Sequence, residues 1–123
     1  METKKRILLV DDEAGILKIL SIKLRHDGFE VISTTRGAEA IEMVRTQKPD
    51  VILLDIFMPG VTGYEVLDAI REFSQVPVIA FTASTKMADT AMKMGATDSI
   101  PKPCNVDQLV EKIRLVIDGS KGA

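Results

Sequence analysis

Short, uninterrupted apolar runs constrain the fold of this chain more than any other feature. Three of them are clear, at residues 7–10, 51–54 and 78–81. Apolarity at every position, instead of every second one, is typical of strands that are buried on both faces by covering helices. Two weaker runs, at residues 30–34 and 98–100, bring the number of predicted strands to five.

Amphipathic segments separate these runs. Ile16, Leu20 and Leu24 recur at helical spacing, and the predicted last helix, residues 105–118, carries its apolar side chains along one stripe. Strand and helix therefore alternate five times, which requires right-handed crossovers. We predict a single α/β domain with a doubly wound, five-stranded parallel sheet in the order 2-1-3-4-5 and five helices.

Composition narrows the class of protein. The 123 residues suffice for one domain, predicted at residues 5–118, with 119–123 as a disordered tail or the start of a linker. The net charge of −2 argues against direct binding of nucleic acid. No apolar run reaches the roughly 20 residues of a membrane span, so we expect a cytoplasmic location. One cysteine, Cys104, excludes an internal disulfide, and one histidine, His26, leaves no histidine cluster for zinc.

Polar side chains follow the predicted strands. Asp11 and Asp12 come directly after the first strand, and Asp55 ends the third. Thr82 follows the fourth strand and Lys102 the fifth. Because open parallel sheets bind ligands at the carboxyl ends of their strands, we expect these side chains to share one pocket. Three carboxylates in one pocket repel each other, and Mg²⁺, with Mn²⁺ as the alternative ion, is the usual remedy in an all-oxygen site.

This set of residues suits phosphoryl transfer, in which a protein mainly positions the reacting groups and neutralises charge. Asp55 lies in the middle of the set, and an aspartate can accept a phosphoryl group as an acyl phosphate. Lys102 adds a positive charge. The Thr82 hydroxyl and the Ala83 amide add hydrogen-bond donors. Asp55 is therefore the candidate nucleophile.

Four motifs occur along residues 5–118: Val10-Asp11-Asp12-Glu13, Asp55-Ile56-Phe57-Met58-Pro59-Gly60, Thr82-Ala83-Ser84 and Pro101-Lys102-Pro103. Each motif is weak alone. In this order and spacing they closely resemble the receiver domain of two-component response regulators, which has a flavodoxin-like fold. The resemblance implies a signalling domain that catalyses only its own phosphorylation and dephosphorylation. Its phosphoryl donor would be a sensor histidine kinase or a histidine phosphotransfer protein.

The resemblance also implies a role for each residue of the site, with Asp55 as the phosphoacceptor. The implied metal ligands are Asp12, Asp55, the backbone carbonyl of Phe57 and, through water, Asp11. Lys102 would pair with the phosphoryl group, Thr82 would turn inward to bind it, and the Ala83 amide would donate to it. The Lys102–Pro103 peptide would be cis.

The sequence departs from the family pattern at three residues, none of which takes part in the phosphorylation chemistry. Family members generally carry Tyr or Phe near the position of Ser99, where an aromatic ring moves with the threonine. Cys104 replaces a common Phe, and Thr62 a common Asp. In the family the fourth helix, fifth strand and fifth helix form the signalling face, so the predicted switch and output surface comprises Thr82, Met87, Met92, Ser99 and Leu115. We predict that a downstream output protein or domain, or a second copy in a homodimer, binds this face.

Simpler interpretations remain for single residues. Asp11 and Asp12 alone fit a solvated turn, and Thr82 fits the N-cap of the following helix. His26 fits a solvated helix end near the negative pole of the macrodipole. Cys104 fits a small, partly buried filler.

Two other functions are alternatives to a phosphorylated receiver. An aspartate-nucleophile phosphatase would carry its second aspartate two residues after the first, whereas Asp11 and Asp12 are adjacent, and it would need an insert that forms a substrate cap. A constitutive interaction domain that is never phosphorylated agrees with Ser99. The presence of Asp55 and Lys102 opposes that alternative.

Overall fold

Five strands and five helices alternate along residues 4–122, the part of the chain that this computed structural model describes, with side chains described for residues 4–119. Strands β1 to β5 span Arg6–Val10, Glu30–Thr34, Val51–Asp55, Val78–Thr82 and Asp98–Pro101. Helices α1 to α5 span Ala14–His26, Gly37–Gln47, Gly63–Arg71, Thr85–Lys93 and Val106–Gly122. All strand pairs are parallel and the sheet order is β2-β1-β3-β4-β5, which confirms the predicted fold class.

The side chains of the central strands alternate between two apolar layers, one on each face of the sheet. On β1, Ile7 and Leu9 pack in the layer formed with α1 and α5, whereas Leu8 and Val10 pack in the layer formed with α2, α3 and α4. All four are at most 1% exposed. Burial of each such side chain stabilises the fold by about 2 kcal/mol. Helices on both faces therefore explain why the apolar runs are continuous.

Side-chain caps define the starts of the two helices that follow β3 and β4. The Thr62 hydroxyl accepts a hydrogen bond from the Glu65 amide at 3.3 Å, and the Glu65 carboxylate accepts one from the Thr62 amide, which forms a reciprocal capping box. The Ser84 hydroxyl accepts from the Met87 amide at 3.1 Å. Ser84 is therefore the N-cap of α4, and the interpretation of Thr82 as that cap is wrong.

Helix α5 ends later than predicted. The sequence pattern ends at residue 118, whereas the helix continues to Gly122. Gly119 weakens a helix by only about 1 kcal/mol relative to alanine, which is too little to end it here. The helix thus enters the segment expected as a tail or linker; that this segment leads into a linker stays a prediction, and Ala123 lies outside the described residues. None of the helices within residues 4–122 has the length and apolarity needed to cross a membrane.

Gly63 begins α3 at the point where the helix meets the end of β3. A Cβ atom added here would lie 2.4 Å from the Asp55 carbonyl oxygen and 2.5 Å from the Ile56 Cα, and neither backbone atom can rotate away. The Gly63 amide also donates to the Ile56 carbonyl at 3.0 Å. The missing side chain therefore lets α3 pack directly against the backbone that carries Asp55.

We expect Gly63→Ala to lower the free energy of unfolding by about 2–3 kcal/mol, because the added methyl group pushes helix and strand apart. Urea denaturation followed by circular dichroism measures this loss. Gly15→Ala in α1 is the matched control, since nothing lies within 4 Å of a Cβ atom there. The control should stabilise the fold by about 0.5 kcal/mol. Equal effects of the two substitutions would contradict the close approach of α3.

Candidate functional site

The carboxyl ends of β1, β3, β4 and β5 bring the predicted polar residues to one edge of the sheet. Asp55 and Thr82 are the last residues of β3 and β4. Asp11 directly follows β1, and Lys102 directly follows β5. Because all strands are parallel, these ends lie on the same side of the sheet. The structure therefore brings the four residues together, as the sequence predicts.

Three carboxylates form the acidic part of the site. One oxygen from each of Asp11, Asp12 and Asp55 lies within 4.8 Å of the other two. Asp11 and Asp55 are each only 2% exposed, whereas Asp12 is exposed. An all-oxygen donor set that opens to water on one side suits a hard divalent cation such as Mg²⁺. The residues present therefore fit the predicted metal.

Backbone amides orient the two buried carboxylates. The Glu13 amide donates to Asp11 Oδ1 at 2.9 Å. The Phe57 amide donates to Asp55 Oδ1 at 3.2 Å. In both cases the donor lies two residues after the acceptor, the pattern of a local turn closed by an aspartate side chain. Each carboxylate is thus held by its own chain before any ligand binds.

Lys102 lies close to both buried carboxylates. Its Nζ atom is 2.8 Å from Asp11 Oδ2 and 3.4 Å from Asp55 Oδ2, while Glu13 Oε1 is more distant at 3.8 Å. Burial lowers the pKa of Lys102, but the hydrogen bond and charge of Asp11, and then those of Asp55, outweigh burial and raise this pKa above its ordinary value. Lys102 is therefore a positive charge at neutral pH. The Lys102–Pro103 peptide is cis, as the resemblance implies.

The negative charge at this edge exceeds what the lysine offsets. The pKa of Asp55 is raised to about 7, with burial as the largest cause and the charge of Asp11 as the next. Lys102 lowers this pKa without cancelling the other two effects. A carboxyl group that titrates near neutral pH marks an unbalanced site, which a bound divalent cation would relieve.

An open cavity of about 460 Å³ adjoins these side chains. It is lined by Asp12, Glu13, Asp55, Phe57, Thr82, Ala83, Ser84, Met87 and Lys102. Phe57 is 77% exposed, which places its ring at the rim. The cavity thus collects all three parts needed to handle a phosphoryl group, namely a carboxylate, a cation and hydrogen-bond donors.

The Thr82 hydroxyl contacts α4. Its Oγ1 atom accepts from the Ser84 amide at 3.2 Å and donates to the Met87 sulfur at 4.0 Å. The residue is 5% exposed. Thr82 therefore lies at the cavity as predicted, but its one proton is directed at a methionine.

The predicted output residues lie in or beside α4, β5 and α5. Met92 and Leu115 are 41% and 65% exposed, and both lie outside the cavity lining. Ser99 is partly buried in β5, and its carbonyl accepts a hydrogen bond from Lys112 Nζ at 2.8 Å. Of the predicted surface, Thr82 and Met87 line the cavity. The structure thus brings Met87 to the site and leaves Met92 and Leu115 on the surface.

Sequence reasoning gave no site role to two residues that line the cavity, Glu13 and Ser84. Each closes one of the motifs, and this position was the only available signal. His26 is exposed in the last turn of α1, as its simple interpretation predicts. Cys104 packs against the apolar layer of α1 and α5, and burial raises the pKa of its thiol, which favours the filler interpretation.

Comparison with known proteins identifies the family of the chain. A family model described as the response regulator receiver domain matches residues 7–114. The "Probable transcriptional regulator ycf27" of Guillardia theta is 42% identical over 119 residues, which cover 95% of this chain and 47% of the relative. The "DNA-binding response regulator MtrA" of Mycobacterium leprae is 38% identical over 113 residues, covering 90% and 50%. The chain thus spans about half the length of these curated relatives.

Solved structures show the same architecture. The chemotaxis protein CheY4 of Vibrio cholerae superposes with a TM-score of 0.86 at 31% identity, covering 93% of this chain and 99% of that one. A CheY-like receiver domain of Methanospirillum hungatei superposes with a TM-score of 0.90 at 29% identity, covering 98% of both chains. The motifs, the sheet order and the acidic edge agree with these matches. The chain therefore belongs to the family of response regulator receiver domains, which act in two-component signalling.

Proposed function

We propose that Asp55 accepts a phosphoryl group from a phosphohistidine of a sensor histidine kinase or a histidine phosphotransfer protein. One observation carries the proposal: Asp55 is buried at the sheet edge, within reach of two further carboxylates and a lysine, and still lines an open cavity. Burial of a carboxylate beside two other carboxylates costs free energy, which a bound ligand would offset.

The arrangement around Asp55 suits nucleophilic attack on phosphorus. The Phe57 amide holds one carboxylate oxygen, which fixes the orientation of the group. A carboxylate oxygen of Asp55 forms the new bond to phosphorus, and the bond between phosphorus and the donor imidazole nitrogen breaks, with its electron pair returning to the imidazole. The only histidine of these 123 residues, His26, is at the far end of α1, away from Asp55, so it is a poor candidate for the donor.

Mg²⁺, or Mn²⁺ in its place, fits the acidic edge as the cofactor of this reaction. Its ligands would be Asp12, Asp55 and the backbone carbonyl of Phe57, with Asp11 assisting through water. When bound, the ion supplies positive charge for the phosphoryl oxygens. The exposure of Asp12 leaves that side of the site open to water, and Mg²⁺ usually retains several water ligands.

Three further groups of the chain would hold the phosphoryl group. Lys102 approaches Asp55 Oδ2 at 3.4 Å and is placed to pair with a phosphoryl oxygen. The Thr82 hydroxyl and the Ala83 backbone, which both line the cavity, supply neutral donors. Lys102 lies beside Asp55 before reaction and needs little reorganisation, whereas the Thr82 hydroxyl must leave Met87 before it can donate to the phosphoryl group.

The proposed consequence is a change of the partner-binding surface. A phosphoryl group adds charge next to Thr82, and the change would bias α4, β5 and α5 between two arrangements. The partner of that face would be a downstream output protein or domain, or a second copy of this chain. Relatives named as transcriptional or DNA-binding regulators are about twice as long as this chain, so any DNA contact would belong to a further domain.

Mass spectrometry tests the proposal. Incubation with acetyl phosphate and Mg²⁺ should add one phosphoryl group to the wild-type chain and none to Asp55→Asn. Asp68→Asn, which changes an exposed aspartate of α3, is the matched control and should be modified normally. Chelation of the metal should suppress the mass gain. A gain that survives Asp55→Asn would sink the assignment, and steady turnover of a generic phosphoester would favour the phosphatase alternative.

A further inference from the structure

The Thr82 hydroxyl has one proton, and that proton already has a partner. Oγ1 accepts from the Ser84 amide at 3.2 Å and donates to Met87 Sδ, a long contact at 4.0 Å. A hydroxyl carries a single donor. A phosphoryl group on Asp55, the step on which this inference rests, can therefore receive the Thr82 proton only if the sulfur loses it.

The Thr82 hydroxyl can exchange the Met87 sulfur for a phosphoryl oxygen at low cost, because a thioether is a weak hydrogen-bond acceptor. A phosphoryl oxygen is charged, and hydrogen bonds to charged groups are roughly twice as strong as neutral ones. Thr82 is 5% exposed, so water does not replace either partner freely. The Thr82 hydroxyl thus has two alternative positions, one on Met87 and one on the phosphoryl group.

Met87 connects this choice to two helices. It lies in the first turn of α4, where its amide donates to the N-cap hydroxyl of Ser84 at 3.1 Å. Its carbonyl accepts from the Tyr64 hydroxyl of α3 at 3.3 Å. A shift of Met87 therefore acts on the start of α4 and on the contact between α4 and α3. Ser99 has no ring that could follow Thr82, so β5 offers no comparable path.

We propose that Met87 is a positioning residue that couples Thr82 to α4 and α3 in this chain. In the resting state its sulfur holds the Thr82 hydroxyl. On phosphorylation the hydroxyl leaves the sulfur for the phosphoryl oxygen, and the freed Met87 side chain and the Tyr64 contact rearrange. We call this coupling from Thr82 through Met87 to α4 and α3 the relay. It takes the place of the aromatic ring that family members generally carry near the position of Ser99.

Methyl NMR on the full chain labelled at the methionine methyl groups tests the first link. Saturating beryllium fluoride with Mg²⁺ should shift the Met87 methyl resonance strongly and that of Met43, in α2, little. In Thr82→Ala the Met87 shift should fall well below its wild-type value, to what the ligand causes directly in a residue that lines the cavity. Thr82→Ser, which keeps the hydroxyl, should restore it. An unchanged Met87 shift in Thr82→Ala would overturn the relay.

Two variants test the other links. Met87→Leu keeps the side-chain volume but removes the sulfur acceptor, so beryllium fluoride should bind about two- to threefold more tightly, as expected for the loss of one weak competing hydrogen bond. Tyr64→Phe should keep the Met87 methyl response and reduce the backbone amide shifts of α3, where the Gly63 contact with the Asp55 backbone leaves a residual response. Unchanged affinity in Met87→Leu, or unchanged α3 shifts in Tyr64→Phe, would contradict the corresponding link.

The amide of Phe57 separates failure of this inference from failure of the proposed function. This amide donates to Asp55, so it reports on occupancy of the acceptor without the relay. If the Phe57 amide resonance shifts in every variant while the Met87 methyl shift is the same with and without the Thr82 hydroxyl, the relay is wrong and the phosphoacceptor proposal stands. If beryllium fluoride leaves the Phe57 amide unchanged in the wild-type chain, both proposals fail.

Discussion

Lys102→Met is expected to lower the free energy of unfolding at pH 8, without divalent cations, by about 3 kcal/mol. The substitution keeps most of the aliphatic stem and removes the charge that lies 2.8 Å from Asp11 and 3.4 Å from Asp55. Two buried carboxylates would then face each other without a counter-charge. The loss should shrink as pH falls through about 7, the pKa of Asp55, because protonation of this carboxyl group relieves the repulsion. Urea denaturation over a pH series measures both effects.

Lys112→Met is the matched control for the loss of a lysine. Its Nζ atom lies 3.4 Å from Asp98 at the partly exposed surface of β5 and α5. We expect a loss of at most about 1 kcal/mol. The double variant of Lys102→Met with Asp55→Asn should be more stable than the sum of the single effects predicts, because one of the two repelling carboxylates is gone. Strict additivity would contradict the coupling of Lys102 to Asp55.

Asp55→Asn is expected to raise the free energy of unfolding at pH 8, without divalent cations, by about 2–4 kcal/mol. The pKa of Asp55 is about 7 in the folded chain against 3.8 for an unperturbed aspartate. Between these values the folded state binds more protons than the unfolded state, so the wild-type chain loses stability as pH rises through this window. Asparagine carries no charge, so the free energy of unfolding of the Asp55→Asn variant does not fall over this pH range. The gain should therefore be small at pH 4 and complete by pH 8.

Mg²⁺ provides the second arm of this experiment. A cation that binds the folded wild-type chain stabilises it by mass action, and Asp55→Asn, which lacks one proposed ligand charge, should gain less. The stability gap should accordingly narrow as Mg²⁺ is added. Asp68→Asn, at an exposed position, should change stability by no more than about 0.5 kcal/mol at any of these pH values. A gap that is independent of both pH and Mg²⁺ would show that buried charge is not its cause.

The fold could be predicted almost completely from the sequence. Continuous apolar runs at β1, β3 and β4 identified strands covered on both faces, and the structure places alternate residues such as Leu8 and Leu9 in opposite layers. The weaker runs of β2 and β5 were also correct. The end of α5 was the exception. The low helix propensity of Gly119 suggests that the helix ends there, but a single glycine costs the helix little free energy, so the helix continues past it.

The residues that form the site could also be predicted from the sequence. Parallel strands place their carboxyl ends on one edge, so a polar residue at each end must join the others. Sequence spacing does not report which partner a side chain selects within that edge. Lys102 contacts Asp11 more closely than Asp55, and the Thr82 hydroxyl contacts Met87; neither preference has a pattern in the sequence. The contact of Tyr64 with Met87, 23 positions apart, is likewise invisible before α3 and α4 pack.

By itself the sequence determined the alternation of strand and helix, the sheet order expected of that alternation and the residues gathered at the acidic edge. These follow from local patterns, because burial on two faces and strand direction act on every residue of a run. Tertiary structure alone decided the burial of Asp55 that raises its pKa to about 7, the approach of α3 through Gly63, and the contact of the Thr82 hydroxyl with the Met87 sulfur. Desolvation, close packing and the choice of a hydrogen-bond partner depend on distances between elements, and those distances exist only once the chain has folded.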